Sequence, residues 1–218
     1  MMEIRSETPP LFDDSFRAAF EELLVWRRDV RRFKRDPLPP GELEALLAAA
    51  HKAPSVGNSQ PWRFMLVESE SRRAAVRADF AGRNAEALAG YAGERARLYA
   101  ELKLAGLEDA PVQLAVFADP ESAEGHGLGR RTMPETMEYS AVGAVILLWL
   151  AARAAGIGVG WLSILDPATV SHALDAPDKW RLIAYLCIGY PAEAAAVPEL
   201  ERAGWQARGD WRDKLIQR

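Results

Sequence analysis

The chain has 218 residues, 49% of them apolar and 27% charged, which suits one domain with a full hydrophobic core and excludes a disordered chain. A net charge of -4 excludes a general nucleic-acid binder, whose affinity comes from neutralising phosphates. A single cysteine, Cys187, leaves no intramolecular disulfide and fits a reducing cytoplasm, and three scattered histidines (His51, His126, His172) have no metal-ligand spacing.

The N-terminal stretch MMEIRSETPPLFDD is acidic, holds two prolines and lacks the apolar core of a signal peptide. From Ser15, a possible N-cap, residues Phe16, Ala19, Phe20, Leu23 and Leu24 recur at helical spacing. That helix runs into an arginine cluster (Arg27, Arg28, Arg31, Arg32), followed by an extended segment, Phe33 to Pro40, with three prolines. Leu43, Leu46, Leu47 and Ala50 mark a second helix, stopped by Pro54. Arg63 to Glu68 reads as a strand, and Ser69 to Leu107 as two helices with a bend at Gly90 and Gly93. Val112 to Ala118 is a second strand, and Asp119 to Pro134 a long loop.

Thr136 to Ala155 is a helix apolar on nearly every side, which predicts burial on all faces and a subunit interface. Its most apolar run, Ala141 to Ala152, falls short of the roughly 20 residues that span a bilayer, so a soluble protein is expected. Gly156 ends the helix, Val159 to Ile164 is a strand, and Asp166 caps a short helix beginning at Pro167. Leu182 to Tyr190 is an apolar run expected of a central strand. In the polar tail, Trp205 and Trp211 stand as isolated anchors. No repeat or linker divides the chain, so one domain spans 1-218, with 1-14 and 206-218 as terminal extensions.

Two glycine-rich stretches, Gly125 to Arg130 and Gly156 to Gly160, lack the strand–glycines–helix order of a dinucleotide site, and no P-loop or G-x-S-x-G elbow is present. Two other segments are more informative. Arg27-Arg28-Asp29-Val30-Arg31 presents forked, permanently charged donors suited to a phosphate and to carbonyls. By itself it reads rather as a solvated helix end whose cations offset the macrodipole. Ala53-Pro54-Ser55-Val56-Gly57-Asn58-Ser59-Gln60-Pro61-Trp62 offers hydroxyl and amide groups just before a strand, and by itself is an ordinary loop.

Together, the two segments resemble the N-terminal flavin-binding segments of the nitroreductase family, and Gly156 to Ser163 resembles its third signature. The resemblance covers roughly residues 15 to 205. It implies an α+β, nitroreductase-like sandwich: a mixed central sheet flanked by helices, in an intertwined homodimer with FMN at the subunit interface. Within the family, Asp29 stands where ordinary members have serine. Gly93-Glu94-Arg95 through Tyr99 to Leu102-Lys103-Leu104 resembles a lid helix, and Gly160-Trp161-Leu162-Ser163-Ile164 a strand, of a flavin-consuming branch. Gly90 and the loop Ser122 to Pro134 depart from that branch.

The branch implies oxygen-dependent fragmentation of reduced FMN to 5,6-dimethylbenzimidazole, the lower ligand of vitamin B12, and erythrose 4-phosphate. Reduced FMN is then the substrate, O2 the co-substrate, and no metal is used. A separate flavin reductase would supply the reduced flavin. The implied flavin contacts are Arg27, Arg28, Asp29, Val30, Arg31, Ser55, Arg95, Leu104 and Ser163, with Asp29 and Ser163 catalytic. Asp29 would accept protons or orient water, or else form a structural salt bridge. Ser163, a lone hydroxyl on a buried-looking strand, would bond the flavin or its oxygenated form, or else a backbone group. Arg95 would add a charge from the lid, or else make an i,i+4 surface pair. Competing functions are an NAD(P)H-dependent FMN nitroreductase or flavin reductase, and a flavin-binding protein without turnover.

Overall fold

In a computed structural model that describes residues 9–102 and 104–218, the apolar runs sort themselves into three layers. The middle layer is a four-stranded sheet, β1 (Trp62–Leu66), β2 (Val112–Ala118), β3 (Gly158–Leu162) and β4 (Arg181–Gly189), in the order β1-β2-β4-β3. All three pairings are antiparallel, and the mixed character expected of the sheet resides in one parallel bridge, Asp29 to Val159. Side chains alternate across a strand, so β2 and β4, apolar apart from Gln113 and the exposed Arg181, feed two cores. Leu114, Val116, Ala184, Leu186 and Ile188 face one side, while Ala115, Phe117, Tyr185 and Cys187 face the other. Both internal strands are therefore buried on both faces, as the unbroken run in β4 predicts.

On the first side lie α2 (Glu42–Ala50) and α5 (Thr136–Ala154); on the second lie α3 (Glu70–Ala89) and α6 (Pro167–Ala173). Helix α1 (Asp14–Trp26) packs against α5, α4 (Gly93–Glu101) against α3, and a single-turn α7 (Glu199–Arg202) lies in the tail. Helix α1 starts earlier than Ser15 suggests. Asp13 is the N-cap, taking the Phe16 amide at 2.8 Å, and Ser15 instead donates its hydroxyl to Asp13. Its Phe16, Phe20 and Leu24 share one face as expected, yet no residue of α1 is buried in this chain.

Helix α5 is long and apolar enough to cross a membrane by length and composition, but eight of its side chains sit in the core beside the sheet. It ends in a Schellman arrangement at Gly156 (φ +74°): the Ile157 amide reaches the Ala152 carbonyl at 2.8 Å and the Gly156 amide that of Arg153 at 3.0 Å. Strand β1 runs Trp62–Leu66 rather than Arg63 to Glu68, and two further boundaries bear on the site. Helix α4 ends at Glu101 rather than near Leu107, and β3 ends at Leu162, so Ser163 lies one residue past the strand and is exposed. Lys103 of the lid motif and the first eight residues lie outside the described residues.

Candidate active site

The segment after α1 crosses β3 at backbone contact. The Val30 amide donates to the Val159 carbonyl at 3.0 Å, and Asp29 forms the parallel bridge to Val159. This proximity explains Gly158 and Gly160. A Cβ on Gly160 would lie 2.2 Å from the Val30 carbonyl oxygen, and one on Gly158 would lie 2.8 Å from Val30 Cγ2. The glycine signature is thus the floor on which the arginine segment rests.

Asp29 is held at both oxygens. Oδ1 accepts the Trp161 amide at 2.9 Å and Oδ2 accepts Arg31 Nε at 2.8 Å. The Arg31 side chain is only 11% exposed and that of Asp29 33%, so the carboxylate keeps one open side. Asp29, Val30, Arg31 and Leu104 meet Gly160 and Trp161 around one crevice, packed too closely in this chain to admit even a water molecule.

The other arginines divide. Arg28 gives Nε and Nη2 to the Ala196 carbonyl at 2.7 and 2.5 Å, and Nη1 to its neighbour's Arg27 carbonyl at 2.8 Å. The Arg27 guanidinium lies over the Trp149 ring, 4.9 Å from its centroid, and Trp149 in turn packs on Trp161 at 6.2 Å. Arg208, from the tail, completes a cluster of like charge. Burial lowers the pKa of both Arg27 and Arg28; Arg208 lowers them further, as does Arg27 in the case of Arg28. None of these three is in a salt bridge among the described residues. Arg208 escapes sequence reasoning because nothing local marks one arginine in a polar tail.

Arg95, on α4, donates Nη1 to the Trp205 carbonyl at 2.9 Å and lies over the indole at 4.9 Å. The i,i+4 pair on that helix is Arg97–Glu101 instead. Trp205 also contacts the Tyr91 and Tyr99 rings, so it is no isolated anchor, whereas Trp211 is 66% exposed.

Ser55 lies elsewhere. Its hydroxyl accepts the Gln60 amide at 3.0 Å, and the next amide, Val56, docks on Ser140 at the start of α5. Trp149, nearer the other end of α5, hydrogen-bonds the Arg28 carbonyl at 3.3 Å. The two anchor points are nine residues apart on the helix (149 − 140), or about 13 Å along its axis. One chain therefore gathers Asp29, Val30, Arg31 and Leu104, and leaves Ser55 at a separate place.

Three comparisons bear on this arrangement. The sequence profile of the nitroreductase family matches residues 24–190. A protein named 5,6-dimethylbenzimidazole synthase from Rhodospirillum rubrum is 57% identical over 92% of this chain and 95% of its own length. Another of that name, from Rhodobacter capsulatus, is 49% identical over 89% and 94%. An NADH dehydrogenase from Thermus thermophilus is 30% identical over 77% and 84%. Among solved structures, oxidized iodotyrosine deiodinase bound to FMN and 3-iodo-L-tyrosine superposes with a TM-score of 0.70 at 26% identity, covering 91% of this chain and 97% of that one. With the arginine segment seated on its glycine floor and the family profile running from α1 through β4, the chain belongs to the nitroreductase family.

Proposed function

We propose that this chain is a 5,6-dimethylbenzimidazole synthase, which fragments reduced FMN with O2 to 5,6-dimethylbenzimidazole and erythrose 4-phosphate. The observation that carries the reading is identity of 57% and 49% along about nine tenths of two synthases. The local geometry suits it. A flavin phosphate calls for cations not already neutralised by carboxylates, and Arg27 and Arg208 offer this beside a half-buried acid held at fixed orientation. Among the described residues no cluster of His, Cys, Asp and Glu is disposed to hold a metal.

Reduced FMN brings the electrons for oxygen activation and the carbon atoms of the product. The chain's own residues bind, orient and move protons. Arg27, with Arg208, attracts the phosphate; Arg28 fixes the segment by its carbonyl bonds. Arg31 and the Trp161 amide aim Asp29, whose open side takes and returns the protons that bond cleavage requires. Val30 and Leu104 set apolar surface beside Asp29 for the flavin to lie against, and Arg95 adds charge from the lid. Ser163, exposed in one chain at the end of β3, faces a site that a second chain completes.

That second chain is part of the proposal. The outer side of α5 exposes Tyr139 at 60% and Ile146 at 41%, with Val142, Gly143, Leu147 and Leu150 half-buried between and beyond them. This stripe, with the bare apolar face of α1, suits a homodimer, and the partner's Ser55 loop would then close the site. In this reading the enzyme is cytoplasmic and a separate flavin reductase supplies the reduced FMN.

The competing reading is a redox-cycling flavoenzyme, which the relation to the Thermus thermophilus NADH dehydrogenase favours. Absorbance decides between them. With NADH, a flavin reductase and a limiting charge of FMN in air, a synthase causes the yellow colour to vanish and stay lost once NADH is spent. Full return of the colour would assign the cycling function.

A further inference from the structure

A strap formed by residues 191–206 joins two parts of the site. At its start, the Ala192 amide bonds the Arg32 carbonyl at 2.9 Å, and the Arg32 guanidinium reaches Glu193 at 3.1 Å and Glu199 at 2.7 Å. Midway, Ala196 receives Arg28. At its end, after Gly204 (φ +73°), the Trp205 amide bonds back to the Leu200 carbonyl at 2.8 Å. That turn sets the indole against Tyr91 at 5.4 Å and Tyr99 at 6.1 Å, and beneath the Arg95 guanidinium. The strap is thus tied to the Asp29 segment at one end and to the lid helix at the other.

The partners of Arg95 are a carbonyl and an aromatic face, and among the described residues it makes no ion pair. Its direction is fixed while its full charge remains available, which is the state wanted of a group awaiting an anion. Arg97, two residues away, shows the contrast: it pairs with Glu101.

We infer that Trp205 is a positioning residue, a latch that holds the lid helix and aims Arg95 before flavin arrives. This rests on the proposed function, in which Arg95 adds charge from the lid, and takes that charge to act on the flavin phosphate together with Arg27 and Arg208. The full-length chain is titrated with FMN and with riboflavin, following flavin fluorescence, for wild type, Trp205→Leu, Trp205→Phe, Arg95→Ala, Arg97→Ala and the double variant Trp205→Leu/Arg95→Ala. Amide exchange over residues 91–102 is measured without flavin. An exposed cation–π contact corresponds to about a twofold to fivefold change in affinity.

The expected result is a loss of that size for FMN in Trp205→Leu, none for riboflavin, most of it restored in Trp205→Phe, and no further loss when Trp205→Leu is added to Arg95→Ala. Arg97→Ala leaves both affinities unchanged. Lid exchange in Trp205→Leu becomes faster. The latch is overturned if Arg95→Ala weakens FMN while Trp205→Leu does not, if FMN and riboflavin weaken alike, or if the two losses add. Should Arg95→Ala leave FMN affinity unchanged, the phosphate role of Arg95 fails, and exchange alone judges the latch: faster exchange in Trp205→Leu supports it, unchanged exchange overturns it.

Discussion

Replacing Gly160 with alanine adds one methyl group where the Asp29 segment crosses β3. The new Cβ would stand 2.2 Å from the Val30 carbonyl oxygen, a backbone atom that no side-chain rotation can move aside. Ordinary contact requires the segment to retreat by about 1.3–1.8 Å, since non-bonded contacts to carbon settle near 3.5–4.0 Å. A retreat of that size breaks the 3.0 Å bond from the Val30 amide to Val159 and draws Asp29 from the Trp161 amide, now at 2.9 Å. A neutral hydrogen bond contributes about 1 kcal/mol and one to a charged group about 1.5–3 kcal/mol, so the substitution should cost about 3 kcal/mol of stability and disorder the Asp29 carboxylate. Gly82→Ala is the matched control. It lies inside α3 with nothing within 4 Å of the added Cβ, and should gain about 0.5–1 kcal/mol from helix propensity. Urea denaturation measures both, and flavin turnover follows in the same preparations. If Gly160→Ala lost less than about 0.5 kcal/mol, within the range of an ordinary surface change, and kept its turnover, the close crossing of β3 would be refuted.

Asp29→Asn keeps the shape but supplies one acceptor oxygen where the structure uses two, and it removes the proton acceptor; FMN should still bind while product formation falls by about 10^2 to 10^4, checked by single-turnover assay. Homodimerisation should appear in sedimentation as a dimer at low micromolar concentration, because the α5 stripe and the α1 face leave apolar surface uncovered in one chain; a stable monomer counts against it. Burial pushes the Cys187 thiol up to about 12 from its ordinary 9.0, so the folded protein should resist alkylation at neutral pH and react on unfolding. The sign for stability follows: a raised pKa favours the neutral thiol, so its contribution is complete below pH 9.0 and is lost as pH rises toward 12, with the burial-raised Tyr185 acting in the same direction. A denaturation midpoint that held constant across that range would contradict it.

Most of the fold was legible because its signals are local. The apolar runs of β2 and β4, the Asp166 cap and the Gly156 stop each declare themselves within a few residues. Helix α1 shows where period alone is insufficient: its stripe of Phe16, Phe20 and Leu24 is present, but spacing does not say whether the same chain covers it. Ser163 marks another limit. An apolar neighbour on each side suggests a buried strand residue, yet β3 stops at Leu162 where its pairing with β4 ends at Tyr185. In the site, the arginine segment and glycine signature were legible as motifs, but their contact was not, because the fit of Val30 on Gly160 joins residues far apart in sequence. The strap from Ala192 to Trp205 and the approach of Arg208 were invisible for the same reason.

The central claim is that this chain breaks its flavin apart, and product identity tests it most directly. The protein is incubated with FMN, NADH, a flavin reductase and air, and the mixture is resolved by liquid chromatography and mass spectrometry. The predicted result is a benzimidazole of the mass and retention of authentic 5,6-dimethylbenzimidazole, rising as FMN falls and absent with Asp29→Asn. FMN recovered in full, with no benzimidazole at any time, would contradict the claim and leave a flavoenzyme that only cycles electrons.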